Sequence, residues 1–489
     1  MSTTTASIKK RYHLFKPSIS NFSSNSSNPN HPAYTRYTGL IPEPAIVNFF
    51  TGRIWSRLHT PFPQQKIDTY INRGYFETVP AVITKPKLIC RRCLNEQAHK
   101  FVSFNCAKCQ KVCHYCRHCI TMGRMCSCDE LIIWKGTDIR KQKSQVQFVW
   151  SGNLTPHQKK AADELALSIS QNRNHLVHAV CGAGKTEILF AGIYDSLKAG
   201  KRVCVATPRT DVVLELYLRF QQVFQKITIH ALYGGAENNA EFAQLVLATT
   251  HQLYRFEHAF DVMIVDEADA FPYTYDEALQ RAVLKAKKPD APIAFVTATP
   301  SNKLLLKQRT ENWGYSFIAR RFHGHALPVP RFQPLWNYEK VFQKNKIPQK
   351  LHTWVKQRIQ ENEPFLVFFP TIELMEQATP LFQKLESTIE SVHSEDPERK
   401  EKVLQLRNEK RKGLLTTTIL ERGITIKNVQ VAVVGAENPV FTSSALIQIS
   451  GRVGRNVQYP NGDIVFFHHG ITMEMDQARN KILEMNIHE

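Results

Sequence analysis

The sequence predicts an α/β protein with two successive parallel-sheet domains of the phosphate-loop type behind a small metal-binding module. Three observations carry this. A phosphate-loop string, Ala179-Val-Cys-Gly182-Ala183-Gly184-Lys185-Thr186, is followed in order by Asp266-Glu267-Ala268-Asp269, by Thr297-Ala-Thr299 and by Gln448-Ile-Ser-Gly451-Arg452-Val-Gly454-Arg455. From residue 154 onward short apolar runs alternate with helix-length stretches, and each run ends on a polar motif, as strands do when chemistry sits at one edge of a parallel sheet. Nine of the eleven cysteines fall between Cys90 and Cys128.

At 489 residues the chain exceeds the size at which one core usually stops growing, so two or three domains are expected. Its 63 Lys plus Arg against 43 Asp plus Glu, a formal charge of +20, favour a polyanionic partner, either nucleic acid or an anionic membrane surface. No apolar run reaches the roughly 18 residues needed to span a bilayer. The first 30 residues lack the apolar core of a secretion signal, so the expected location is cytoplasmic. In a reducing compartment, clustered thiols read as metal ligands rather than disulfides.

In chain order, residues 1–80 read as a flexible arm, Ser- and Asn-rich over 18–32, followed by a small accessory segment with scattered aromatics (Phe49, Phe50, Trp55, Tyr70) and no sustained period. Residues 81–135 form the cysteine module. Cys90-x2-Cys93, Cys106-x2-Cys109, Cys113-x2-Cys116-x2-Cys119 and Cys126-x-Cys128 supply paired thiolates, and two such pairs close one tetrahedral zinc site. The expected ligands are Cys90, Cys93, Cys106, Cys109, Cys116 and Cys119. The pair Cys90 and Cys93 is completed either by Cys106 and Cys109 or by Cys116 and Cys119, and nine thiols could serve two metals. His99, His114 and His118 read as surface or base-contacting histidines. A closed ligand set implies structural zinc. Lys108, Lys111, Arg117 and Arg124, with Tyr115 among them, can clamp phosphates and stack a base.

The first α/β domain is expected over 150–325, with strands at 175–180, 202–206, 245–248, 262–265 and 293–296 and a helix at 188–197. A Pro-rich stretch at 328–334 separates it from the second, 335–489, with strands at 365–369, 413–417, 429–434 and 463–467. The charged run 395–412 reads as a solvated helix or loop, with nucleic-acid contact as its alternative.

The chemistry follows from residue types. Glycines at 182 and 184 let backbone N–H groups converge on phosphates, Lys185 neutralises the terminal ones, and the Thr186 hydroxyl ligates Mg2+. Asp266 holds the magnesium and Glu267 orients or deprotonates water. Arg452 and Arg455, three apart and so on one face if their segment is helical, reach across a cleft to stabilise phosphoryl charge. Gln448 joins them as a polar contact to the nucleotide or to the acidic motif. Gln158 could read the adenine edge or be a helix-start surface residue. Thr297 and Thr299 couple the acidic motif to the second domain or cap a helix, and Cys181 reads as incidental. Together these residues describe an ATPase using ATP and Mg2+.

The ordered motifs resemble those of superfamily 2 helicases, close to the DEAD-box pattern, over roughly 150–489. The resemblance implies two RecA-like domains and places Pro208, Arg209, Thr249, Thr250, Thr418, Arg422 and Gly423 along a nucleic-acid backbone. Glu421-Arg422 departs from the usual DEAD-box string at that point, which argues against RNA unwinding. With Cys90-Arg-Arg-Cys93, Cys106-Ala-Lys-Cys109 and Tyr115-Cys-Arg-His-Cys119-Ile-Thr-Met-Gly-Arg124 placed directly before the motor, residues from about 80 to the C-terminus resemble the ComFA family of late competence DNA-uptake ATPases of Gram-positive bacteria. That resemblance implies a cytoplasmic ATPase stimulated by single-stranded DNA at the inner face of the membrane. Its implied partners are a membrane uptake channel and a phosphoribosyltransferase-like competence protein, and it implies a homo-oligomer. Two other readings stand beside it: a replication-restart-type 3' to 5' DNA helicase, in which the zinc region is inserted within the motor, and a zinc-dependent nucleic-acid-binding scaffold.

Overall fold

Seven parallel strands make the first motor sheet. Their spatial order is Ile229–Leu232, Leu245–Thr249, Val203–Thr207, Val262–Asp266, Ile293–Thr297, His175–Ala179, Gly314–Ile318. The computed structural model describes residues 41–136, 145–236, 241–421 and 425–487, so the arm read at 18–32 lies outside the described residues. The central strands are buried along their whole length, and so their sequences are continuous apolar runs rather than alternating ones. The flanking strands Ile229–Leu232 and Gly314–Ile318 are shorter in apolar content or alternate, and the sequence pattern did not reveal them.

The second sheet has six parallel strands in the order Arg331–Pro334, Ile464–His468, Gln430–Val434, Phe365–Phe368, Gly413–Thr416, Glu390–Val392. The Pro-rich stretch expected to be only a boundary therefore contributes an edge strand, the one place in a sheet where Pro334 costs no ladder bond. The charged run contains a helix, Arg399–Arg407, with only Leu406 buried. An apolar core continues through both motor domains, joining Val177, Val205 and Ile264 to Leu366, Val431 and Phe466.

The division expected at residue 80 does not exist. Phe76–Pro80 and Ile54–Ser56 flank Glu130–Trp134 in one antiparallel sheet, so the accessory segment and the end of the cysteine module are one unit. Two helices, Pro44–Phe50 and Gln64–Asn72, pack on it through Phe49, Phe50, Ile67 and Tyr70. Their aromatics are scattered in sequence because they meet edge-on in space, as Phe50 and Phe76 do at 4.8 Å and 82°. The unit also leans on the first motor domain, where Arg202 Nη1 donates to Thr51 O at 2.9 Å and Glu257 N donates to Gly52 O at 3.0 Å.

Candidate functional site

The strand His175–Ala179 delivers the phosphate loop to the N-terminus of the helix Lys185–Lys198. Gly182 and Gly184 take left-handed φ values of +82° and +75°, which residues with a Cβ adopt only at a cost. At Gly184 a Cβ would also lie 2.3 Å from Gln158 Nε2 and would displace that amide. The half-exposed Lys185 extends its ammonium to Ala179 O at 3.0 Å, and Thr186 lines the same cavity. Unpaired helix N–H groups, the helix dipole and a lysine suit this loop to a triphosphate.

Gln158 is not the surface residue of its second reading, and its amide is engaged within the protein. It is 4 % exposed; its Oε1 accepts from Thr155 N at 2.8 Å and its Nε2 donates to Ala183 O at 2.8 Å. The amide closes a capping box on the helix Pro156–Ser170 and props the phosphate loop from behind. The Thr-x-x-Gln spacing held that signal.

Val262–Asp266 ends in the two carboxylates. Asp266 is buried, and its Oδ1 accepts from Glu267 N at 2.9 Å, which holds Glu267 at a left-handed φ of +52°. Burial, then the charge of Glu267, pushes the Asp266 pKa up to about 6. A proton and a divalent cation compete for such a carboxylate. The half-saturating Mg2+ for hydrolysis is therefore expected to be about tenfold higher at pH 5 than at pH 7 and flat above pH 7, measured by Mg2+ titration at each pH. An unchanged Mg2+ requirement at pH 5 contradicts a direct role for Asp266.

From the other domain come Gln448, Arg452 and Arg455. Arg452 and Arg455 are not on one helix face as expected. The helix Ser443–Ser450 ends first, and the arginines sit on the turn after it, where Gly454 has φ +71°. Arg452 Nε donates to Glu421 O at 2.9 Å, and Arg455 Nε donates to Gly451 O at 2.7 Å. With Lys185, Thr186, Asp266, Glu267 and Gln448, they line one cleft of about 840 Å³, large enough for a nucleotide.

A chain of hydrogen bonds crosses this cleft. Thr299 Oγ1 donates to Asp269 Oδ2 and lies 2.6 Å from Ser444 Oγ of the second domain. Gln448 Nε2 donates to the same Asp269 oxygen at 3.1 Å, and Cys181 Sγ donates to Gln448 Oε1 at 2.8 Å. The alternatives for Thr299 and Gln448 resolve toward the coupling of motifs. Thr297 only braces the turn between the two threonines, its Oγ1 accepting from Thr299 N at 3.1 Å, and the next helix is capped by Ser301 instead. Cys181, read as incidental, is part of the link and packs on Gly451, where a Cβ would come within 2.5 Å of its own Cβ.

The residues assigned to the nucleic-acid backbone divide. Pro208, Thr249 and Thr250 are buried. Arg209 pairs with Asp211 through Nη2 at 2.6 Å and reaches Ile419 O of the other domain at 3.3 Å, so it lines the interdomain cleft. Thr418 is half-buried at the start of a 3-10 turn, Thr418–Glu421. Arg422 and Gly423 lie outside the described residues.

The cysteines form two tetrads, Cys90, Cys93, Cys116 and Cys119, and Cys106, Cys109, Cys113 and Cys128. The completion of Cys90 and Cys93 by Cys106 and Cys109 is thus excluded, and Cys113 and Cys128 were missing from the expected ligands. A hairpin pairing Phe101–Cys106 with Lys111–Cys116 carries Cys106, Cys109, Cys113 and Cys116, and a bridge between Tyr115 and Cys126 leads the chain to Cys128, neither of which spacing alone could show. Sulfurs 2.3 Å from a tetrahedral zinc stand about 3.8 Å apart. The Sγ pairs Cys90–Cys119, Cys93–Cys116 and Cys106–Cys128 are each at 3.7 Å and Cys109–Cys113 is closer, at 3.3 Å, so the first set matches that spacing and the second approaches it. Arg92 donates through Nε and Nη2 to Cys119 Sγ at 3.3 and 3.0 Å, a support that fixes and tunes a thiolate ligand.

The first tetrad is docked on the motor rather than preceding it as a separate module. Cys90, Cys93, Cys116 and Cys119 share an apolar core with Leu253, Phe256, Leu279 and Ala282. The buried Lys285 ammonium, whose pKa burial pushes down to about 8, donates to Arg92 O at 2.6 Å and Tyr254 O at 3.0 Å. His118, neither a ligand nor a surface residue, faces Asp276 Oδ2 at 3.2 Å.

Two parallel-sheet domains with a phosphate loop, an acidic pair and a facing arginine turn define a superfamily 2 ATPase. Family models described as DEAD/DEAH box helicase and Helicase conserved C-terminal domain match residues 155–306 and 344–457, and Competence protein ComFA N-terminal domain matches 40–133. Competence protein ComFA of Bacillus subtilis (strain 168) is 42% identical over 431 residues, 88% of this chain and 92% of that one. Competence protein ComFA of Streptococcus pneumoniae (strain ATCC BAA-255 / R6) is 38% identical over 419 residues, 85% and 94% of the two chains. Replication restart protein PriA of Rickettsia prowazekii (strain Madrid E) is 26% identical over 208 residues, 40% of this chain and 32% of that one. The chain belongs to the ComFA family, and it is a competence-related DNA helicase/ATPase that uses ATP and Mg2+.

Proposed function

We propose that the protein is an ATP-driven translocase on single-stranded DNA that draws transforming DNA across the cytoplasmic membrane. It works as a peripheral protein at the inner face, with the uptake channel, a phosphoribosyltransferase-like competence partner and further copies of itself. The hydrogen-bond chain Ser444–Thr299–Asp269–Gln448–Cys181 carries this reading, because it ties the acidic motif of one domain to the helix that leads into the arginine-bearing turn of the other. Lys185 and the loop N–H groups hold the triphosphate, Thr186 and Asp266 hold Mg2+, and Glu267 orients the attacking water. Arg452 and Arg455 meet the charge on the transferring phosphoryl group, so closure completes the site and product release reopens it.

A single-strand partner is supported by the loop after the acidic motif. Phe271 and Tyr275 are 74 % and 73 % exposed, with rings 6.4 Å apart. Unpaired bases offer faces for such rings and a duplex does not. The hairpin that carries Cys106, Cys109 and Cys113 of the second tetrad also bears Lys108, Lys111 and Tyr115, and Arg124 lies 5.3 Å over Phe104, a basic and aromatic mixture suited to the same partner.

The test is ATP-dependent displacement of streptavidin from a biotinylated single strand. Displacement from one end, with little separation of a blunt duplex, is the expected result. Efficient 3' to 5' unwinding of forked DNA without streptavidin displacement contradicts it and favours the replication-restart type.

A further inference from the structure

The chain passes from the first motor sheet to the second through residues 319–330, and Arg321 of this connection is 2 % exposed. Its stem lies along the phosphate loop, with Cγ and Cδ 3.6 and 3.7 Å from where a Cβ on Gly182 would be. The next residue pins the connection to the same loop, Phe322 N donating to Gly182 O at 3.0 Å. On its other side Arg321 Nη1 donates to Gly454 O at 2.5 Å, and His323 Nε2 lies 3.1 Å from that oxygen. Gly454 stands between Arg452 and Arg455. One side chain thus touches both halves of the catalytic machinery.

Neither Nε nor Nη2 of Arg321 has a hydrogen-bond partner among the described residues. Burying a guanidinium edge unpaired is expensive, and an apolar side chain of the same length would fill the space without that cost. These two donors are the fork that recognises a pair of oxygens. Burial, and after it the charge of Arg455, lowers the pKa to about 10, which leaves the group charged at neutral pH.

We infer that Arg321 is a positioning residue for ATP hydrolysis: it sets the turn bearing Arg452 and Arg455 against the phosphate loop, and its unpaired Nε–Nη2 edge takes up backbone carbonyl oxygens of the loop or the turn when a nucleotide closes the site. The inference rests on ATP hydrolysis and not on which nucleic acid stimulates it, so it is tested on the full-length, zinc-loaded protein without nucleic acid. For Arg321→Met the expected kcat for ATP falls about 10- to 100-fold while KM changes less than about threefold. ADP–aluminium fluoride, a mimic of the transferring phosphoryl group, loses affinity by a similar factor while ADP does not. Arg321→Lys keeps the charge but lacks the fork, so it recovers only part of the loss, and it decides the question if the methionine variant does not fold. Full kcat in a folded Arg321→Lys variant, a rise in KM alone, or a drop in melting temperature with unchanged kcat each overturn the inference.

Discussion

Lys185→Ala is expected to lower ATP turnover by about 100- to 1,000-fold, the scale for removing one charge-stabilising group from an oxyanion site. The ammonium is the one cation on the phosphate loop itself, and its resting contact with Ala179 O is a bond to a backbone carbonyl, so removing it leaves the fold intact. Both cysteine tetrads lie on other elements. Zinc content and melting temperature are therefore expected to stay at the parent values. Steady-state turnover and a zinc assay on the same preparation check this. Unchanged turnover with unchanged zinc contradicts the role given to Lys185.

Replacing Cys90 and Cys93 together by serine is expected to release one of two zinc ions and to lower the melting temperature by about 10 °C or more. The first tetrad shares its core with the helix Glu277–Ala286 and the turn Thr250–Arg255. Loss of the metal thus leaves Lys285 buried beside a loosened Arg92 carbonyl. Structural zinc supplies roughly 10 kcal/mol or more to small metal domains, and a few kcal/mol lost from a domain of this size moves its midpoint by roughly that much, at about 2–4 °C per kcal/mol. The same change at Cys106 and Cys109 should release the other ion with little loss of stability, because that tetrad takes no part in the core shared with the motor. It should instead weaken strand binding. Metal analysis, a melting curve and a DNA-binding titration distinguish the two sites. Equal destabilisation by both pairs contradicts the docking argument.

What could be read from the sequence was local or repeated along the chain. The phosphate loop needs glycines at fixed offsets from a lysine, and the buried strands had to be apolar throughout, so both showed as strings. What could not be read depends on contacts between distant segments. The metal partners of Cys106 and Cys109 arrive by a hairpin, which brings Cys113, and by a bridge to Cys126, which precedes Cys128. Phe49, Phe50 and Phe76 become a core only when Glu130–Trp134 pairs between its neighbours. Cys181 looked idle because its partner, Gln448, is in the other domain, and Gln158 served two motifs at once, of which the capping box was legible. The arginine pair had the spacing of a helix face, but the helix stops at Ser450, before either arginine.

The most direct measurement is the ATPase rate of the purified protein without nucleic acid and with matched single-stranded DNA, duplex DNA and single-stranded RNA. Strong stimulation by single-stranded DNA alone is the predicted result. Stimulation chiefly by RNA or duplex, or the same rate under all four conditions, would contradict a motor whose two domains are closed by a single DNA strand.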